Sequence, residues 1–231
     1  IVVTSPVLTV QNKYFTGDIP TSLLINFNEA LVGSQNYQIE LQNIADCWLN
    51  SVNLTSSFAL AETAVLGDVI INEIMFDPLT GGSDWIELYN NSAKIFNLKN
   101  MEFANMENDT IANNKIIMQS HLLLPNGYAV VGKDSVFVKE NYPESVTGTF
   151  VYSEMPSYNK DSGNVILISN YQIIDQVDYN NDWQFKLLDN NDGVSLERID
   201  PLGLSSSSFN WHWISTILCF IYISNSTFNS S

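Results

Sequence analysis

Positive charge is what this 231-residue sequence has least of: 9 Lys and Arg stand against 25 Asp and Glu, for a net charge of −16. Arg198 is the single arginine. A protein that binds duplex nucleic acid needs several cations to displace counterions from phosphate, so no nucleic-acid partner is expected. Anionic lipid surfaces are disfavoured for the same reason. The longest apolar run, residues 213–223, is far shorter than the roughly 20 residues that span a bilayer, so no membrane insertion is expected. Thiols are as scarce: Cys47 and Cys219 are the only two. Two sulfurs cannot build a four-ligand zinc site, and His121 and His212 fall in no such spacing. The count permits one disulfide, but the two cysteines lie in segments of different character, and no bridge is expected. Neither a Gly-rich phosphate loop nor a Gly-x-Ser-x-Gly elbow occurs, so phosphoryl transfer and serine-nucleophile chemistry have no carrier.

Helical periodicity is missing too. What fills the chain is short runs of Val, Ile, Tyr and Phe separated by Gly, Pro, Asn and Asp, a pattern of many short antiparallel strands. Residues 5–10, 22–27, 37–41 and 52–60 form a first group. Tyr37, Ile39 and Leu41 alternate with Gln38 and Glu40, which turns one face inward and one outward. So few strands bury little surface alone, and the group reads as the C-terminal part of an Ig-like β domain, residues 1–62. The absence of Met and of a basic leader at Ile1 fits an interior piece of a longer protein. Residues 63–67 read as a linker of small residues ending at Gly67.

A second, longer series of strands follows: residues 69–76, 85–89, 128–131, 149–152, 165–169, 173–179 and 194–199. Turn chemistry separates them at Gly81 and Gly82, at Asn126-Gly127, and at Ser162-Gly163. Asn170 between two apolar runs predicts a tight hairpin. The fold class expected is therefore all-β: an immunoglobulin-like antiparallel β-sandwich over residues 68–204, preceded by a partial Ig-like β module. Residues 205–231 change composition abruptly after His212, as an atypical tail would, either frame-shifted in its source or disordered; the alternative is that the apolar run supplies a last core strand.

The run DVIINEIMFDP at residues 68–78, followed by DWIELYN at 84–90, resembles the opening of the lamin-tail domain (LTD) of secreted bacterial proteins. LPNGYAVV at 124–131, DSGNVIL at 161–167, IDQVDY at 174–179 and GVSLERIDP at 193–201 follow in the family's order. The resemblance spans roughly residues 67–204 and implies an Ig-like sandwich. YQIELQNIADC at 37–47 is similar to the last strands of bacterial Ig-like modules that precede such domains, although Trp48, Leu49 and Asn50 replace the usual Gly-Asn turn.

Four carboxylates, Glu73, Asp77, Asp84 and Glu87, lie close in sequence and are the candidates for a calcium site, since calcium takes 6–8 oxygens. The competing expectation, and the favoured one, is a solvated sheet face with turn acids. Strict alternation would place Ile70, Ile74 and Phe76 on one face, and Glu73 with Val69, Ile71 and Met75 on the other. The loop from Asp189 to Gly193 lacks the EF-hand spacing and reads as a turn. Asp175 is expected near an exposed edge before the alternative of a buried, hydrogen-bonded acid, and Arg198 in an ion pair with Glu197 or a strand neighbour. Trp183, Phe185, Trp211 and Trp213 are read as packing residues before a glycan-stacking surface. No catalytic residue and no cofactor is expected, calcium apart.

The function these residues favour is a non-catalytic structural or interaction module of a larger secreted or cell-surface protein. It would position neighbouring domains or bind protein or glycan. Two alternatives stand beside it: an accessory domain of a secreted hydrolase of nuclease, phosphatase or protease type whose catalytic domain lies outside this chain, and a calcium-stabilised adhesin module. An extracellular or cell-surface setting fits the acidic, amide-rich, lysine-poor composition.

Overall fold

In the computed structural model, residues 1–16, 22–45, 48, 50–143, 145, 148–183 and 192–214 are described. Six strands open the chain: β1 (Val2–Ser5), β2 (Val7–Leu8), β3 (Val10–Thr16), β4 (Ser22–Phe27), β5 (Asn36–Ala45) and β6 (Ser51–Ala59). Next come β7 (Val69–Met75), β8 (Trp85–Asn90), β9 (Phe96–Asn97), β10 (Glu102–Glu107), β11 (Thr110–Ile116), β12 (Leu122–Leu123) and β13 (Tyr128–Gly132). The helix α1 (Ser135–Asn141) precedes β14 (Phe150–Tyr152), β15 (Ser162–Ser169), β16 (Gln172–Asn180), β17 (Ser195–Arg198) and β18 (Trp211–Ile214). Cys47 and Cys219, and with them the disulfide question, lie outside the described residues.

The chain divides into two compact units, residues 1–62 with 93–97, and residues 63–92 with 98–231. The first unit is built on a sheet ordered β2-β1-β5-β6 and a β3-β4 hairpin. Its small core gathers Val3, Leu8 and Tyr37 with Phe27, Leu31, Ile39 and Phe58. Phe58 stacks on both Tyr37 and Phe27, at 5.2 and 5.6 Å between ring centres.

The second unit is an all-β, Ig-like sandwich of a six-stranded sheet, β14-β13-β8-β7-β17-β18, and a four-stranded sheet, β11-β10-β15-β16. Pairing is antiparallel except between β13 and β14, which run parallel because α1 carries the chain back between them. Ile74, Ile86, Leu88 and Leu196 from one sheet and Phe103, Val165, Leu167 and Val177 from the other are sealed from solvent. The expected hairpin is present: β15 and β16 pair from Ser162–Asn180 to Ser169–Gln172, and both turn residues, Asn170 and Tyr171, have positive φ. That geometry matches the right-handed twist of the strands.

Two sequence expectations are corrected here. Alternation along β7 is broken by a bulge between Ile71 and Glu73, so Ile71 pairs with Leu88 while Glu73 pairs with Glu87. Ile71 therefore shares the face of Ile74 rather than that of Glu73, because the extra residue shifts the period by one. The sandwich also continues past residue 204: β18 pairs with β17 from Ser195–Ile214 to Arg198–Trp211, and Asn210 and Trp211 are buried. The remainder of the atypical tail, residues 215–231, lies outside the described residues.

Candidate functional site

The register of three neighbouring strands sets the most unusual feature of the sandwich. Glu87 on β8 is paired with Glu73 on β7, and Glu73 is paired with Glu197 on β17. Side chains directly opposite on one face have Cβ atoms about 5 Å apart, so three carboxyl groups stand side by side. The favoured expectation of a solvated face is overturned: Glu73 and Glu87 are 2% and 3% exposed. What covers them is the face's own apolar half. Met75, Trp85 and Val130 pack with Val138 and Tyr142 from α1 and its C-terminal end, and with Phe150.

Each buried acid has a partner. Ser195 Oγ donates to Glu73, and Asn72 Nδ2 donates to Glu87 Oε1 at 2.9 Å from within the bulge. Burial, reinforced by the charge of Glu73, pushes the Glu87 carboxyl well above the usual range. Glu197 is pushed up to about 7 by burial first and by Glu73 second. Like charges this close cannot all ionise in a dry site, so the row holds protons at neutral pH.

Asp77 and Asp84 belong to a different place. Asp84 accepts from the Tyr158 N–H at 3.3 Å, and Asp77 is ion-paired with Lys160. Burial, with a smaller contribution from Asp77, pushes Asp84 up to about 6. The four calcium candidates thus separate into a sheet pair and a loop pair. Among the described residues no group of three or more His, Cys, Asp or Glu is placed to hold a metal ion.

Arg198 and Asp175 correct two further expectations. Arg198 does form a structural ion pair, but it points to the face opposite Glu197, and its partner is Asp175 on β16 of the other sheet, with Nη2 3.1 Å from Asp175 Oδ2. Asp175, expected near an exposed edge, is 6% exposed and accepts from Ser205 Oγ and from the Ile71 N–H. Arg198 Nε donates to the Ile71 carbonyl, and its guanidinium lies 4.8 Å from the Trp211 ring centre. Trp211 is therefore a packing residue; Trp183 is half-buried, while Phe185 and the Trp213 side chain fall outside the described residues. A hollow of about 400 Å³ beside α1 is walled by Val130, Val136, Val138 and Phe150, and among the described residues its lining includes one acid, Glu140, and no histidine or cysteine.

A family model described as Lamin Tail Domain matches residues 62–181, a little over half of the chain. The chain belongs to the lamin tail domain family. The Ig-like architecture expected from the sequence motifs agrees with that membership. No curated protein matches. Among solved structures, the chain is similar to a DUF4876 family protein from Bacteroides thetaiotaomicron VPI-5482, with 11% identity, 94% of this chain and 89% of that chain covered, and a TM-score of 0.39.

Within the lamin tail match fall β7, β8 and Asp175, hence Glu73 and Glu87. Glu197, Arg198 and Trp211 lie beyond it, on the hairpin that completes the sheet. Sequence reasoning picked out Glu73 and Glu87 but passed over Glu197 as a third member. The signal was available in principle, since an acid flanked by Leu196 and Arg198 on a strand must face away from the core that Leu196 enters.

Proposed function

We propose that this lamin tail chain is a non-catalytic module of a larger secreted or cell-surface protein, positioning neighbouring domains or binding protein or glycan. One observation carries the reading. Three buried ionisable groups of the sandwich hold its strands together: Arg198, Asp175 and Glu73 are each bonded to serine side chains or backbone of the same sandwich. A catalytic acid or base needs a reacting atom within hydrogen-bond reach in a cleft, and these groups are buried instead. The extracellular setting rests on the acidic, amide-rich surface and on the small number of lysines.

The test is to assay the purified full chain against nuclease, phosphatase and protease substrates while probing it on a glycan array and by cross-linking to extracellular proteins. Saturable binding without turnover supports the module. Turnover that survives repurification, and is lost on Glu73→Gln, overturns it.

A further inference from the structure

The junction between β7 and β17 is made at two registered pairs, Leu196–Ile74 and Glu197–Glu73. One of the two thus sets a carboxyl group against a carboxyl group. We propose that the β17–β18 hairpin is a pH-operated latch, in which loss of the Glu197 proton beside Glu73 loosens β17 from β7 and bares the backbone edge of β7.

The geometry defines which end moves. Arg198 pins one end of the hairpin through Asp175, Ser205 and the Ile71 carbonyl, and Asn210 bonds the backbone around Asp200. The other end, Ser195 paired with Ile214, is tied to β7 through the Ser195–Glu73 hydrogen bond. The hairpin therefore pivots at Arg198 and opens at Ser195.

The groups around Glu197 are unequal. Glu73 faces it from β7 and raises its affinity for a proton, with Glu87 behind on β8. His212 faces it from β18, and burial holds that imidazole below its ordinary value, so it carries no compensating charge above pH 6.5. Asp182 lies in the turn Asn181–Trp183 that packs on β18, and Tyr142 donates to the Gly193 carbonyl just before β17. Arg198, next in the strand, points to the other face. Among the described residues, Glu197 Oε2 and His212 Nδ1 are both buried without a hydrogen-bond partner. An ionised Glu197 is thus opposed, among the described residues, by one carboxylate and relieved by no cation, and movement toward solvent is its release.

Amide hydrogen exchange of the full chain, corrected for the intrinsic pH dependence of exchange, reads the latch directly. Between pH 5.5 and 8.0 the amides of Ser195–Glu197 and His212–Ile214 should lose protection at least tenfold, while Arg198, Trp211 and the β8–β13 pair hold theirs. Glu197→Gln should keep the acid-form protection at both pH values, whereas Glu140→Gln should behave as the unaltered chain. Equal protection at both pH values, or a pH response that persists in Glu197→Gln, overturns the proposal. If Glu197→Gln does not fold, the carbon-13 titration of the Glu197 carboxyl in the unaltered chain decides: a midpoint in the ordinary carboxylate range overturns the latch, and one near neutrality that coincides with the loss of protection supports it.

Discussion

Arg198 and Asp175 meet between the two sheets with side chains 1% and 8% exposed, and the same carboxylate takes the Ile71 N–H at 2.8 Å inside the bulge of β7. Burial weighs against both charges, raising the carboxyl and lowering the guanidinium, and mutual attraction offsets part of that cost. Removing one partner leaves the other charge dry and alone. Arg198→Met should therefore destabilise the sandwich by about 3–5 kcal/mol in urea unfolding, well above a typical core truncation of one methylene. A double-mutant cycle with Asp175→Asn should return a coupling energy of roughly 1–3 kcal/mol. Additive effects would show that the pair is two independent packing residues.

Asp84 supplies a pH dependence of opposite origin to an ordinary salt bridge. Its carboxyl is pushed up to about 6 by burial, against the help of the Tyr158 N–H. A group whose folded value is raised binds its proton more tightly in the folded state. Its contribution is therefore fully present below the unfolded value near 4 and is lost as pH rises through 6. The melting temperature should fall over that window, and Asp84→Asn should flatten the fall. Carbon-13 titration of the Asp84 carboxyl should give a midpoint near 6 that drops in Asp77→Asn, because Asp77 is one of the charges that raises it. An unchanged midpoint would assign the whole shift to desolvation.

These two acids also mark where sequence reading stops. Strands, turns and the Asn170 hairpin are local, so composition and period reveal them. The bulge at Ile71–Glu73 is not local: the acceptor of the Ile71 N–H is Asp175, 104 residues away in sequence. Without the bulge, Ile71 is assigned to the wrong face and the carboxylate row has no visible register. The cover over that row is equally hidden, because α1 is only seven residues long and carries β-branched Val136 and Val138. Its one local mark is Asp134, whose side chain caps the helix by accepting the Phe137 N–H at 2.9 Å. A reader who does not see α1 leaves Glu73 and Glu87 in water.

The β15–β16 turn offers a stabilising change. Tyr171 has φ of 64° and is 93% exposed, so it bears the left-handed conformation without burying its ring. That conformation costs a residue with a Cβ about 1–2 kcal/mol, and Asn-Gly is the preferred pair for a two-residue hairpin of this twist. Tyr171→Gly should raise stability by about 1 kcal/mol, read as a shift of the urea midpoint with an unchanged slope. Destabilisation would mean that the ring makes a contact in solution that its exposure conceals.

Calcium is the last question, and the geometry gives a definite expectation. Glu73 is bonded to Ser195 and Glu87 to Asn72 beneath an apolar cover, while Lys160 already supplies a positive charge to Asp77. A calcium ion needs 6–8 oxygens converging on one point, and it would have to strip these partners away and ionise Glu87 in a dry site. A ligand that binds only the folded state raises the melting temperature by mass action, whatever its role. Millimolar calcium and excess chelator should accordingly leave the melting temperature of the full chain within a degree of each other. A calcium-dependent rise abolished by Asp84→Asn would place an ion at the loop acids, and one abolished by Glu87→Gln would place it in the sheet; either would restore the adhesin reading of this chain.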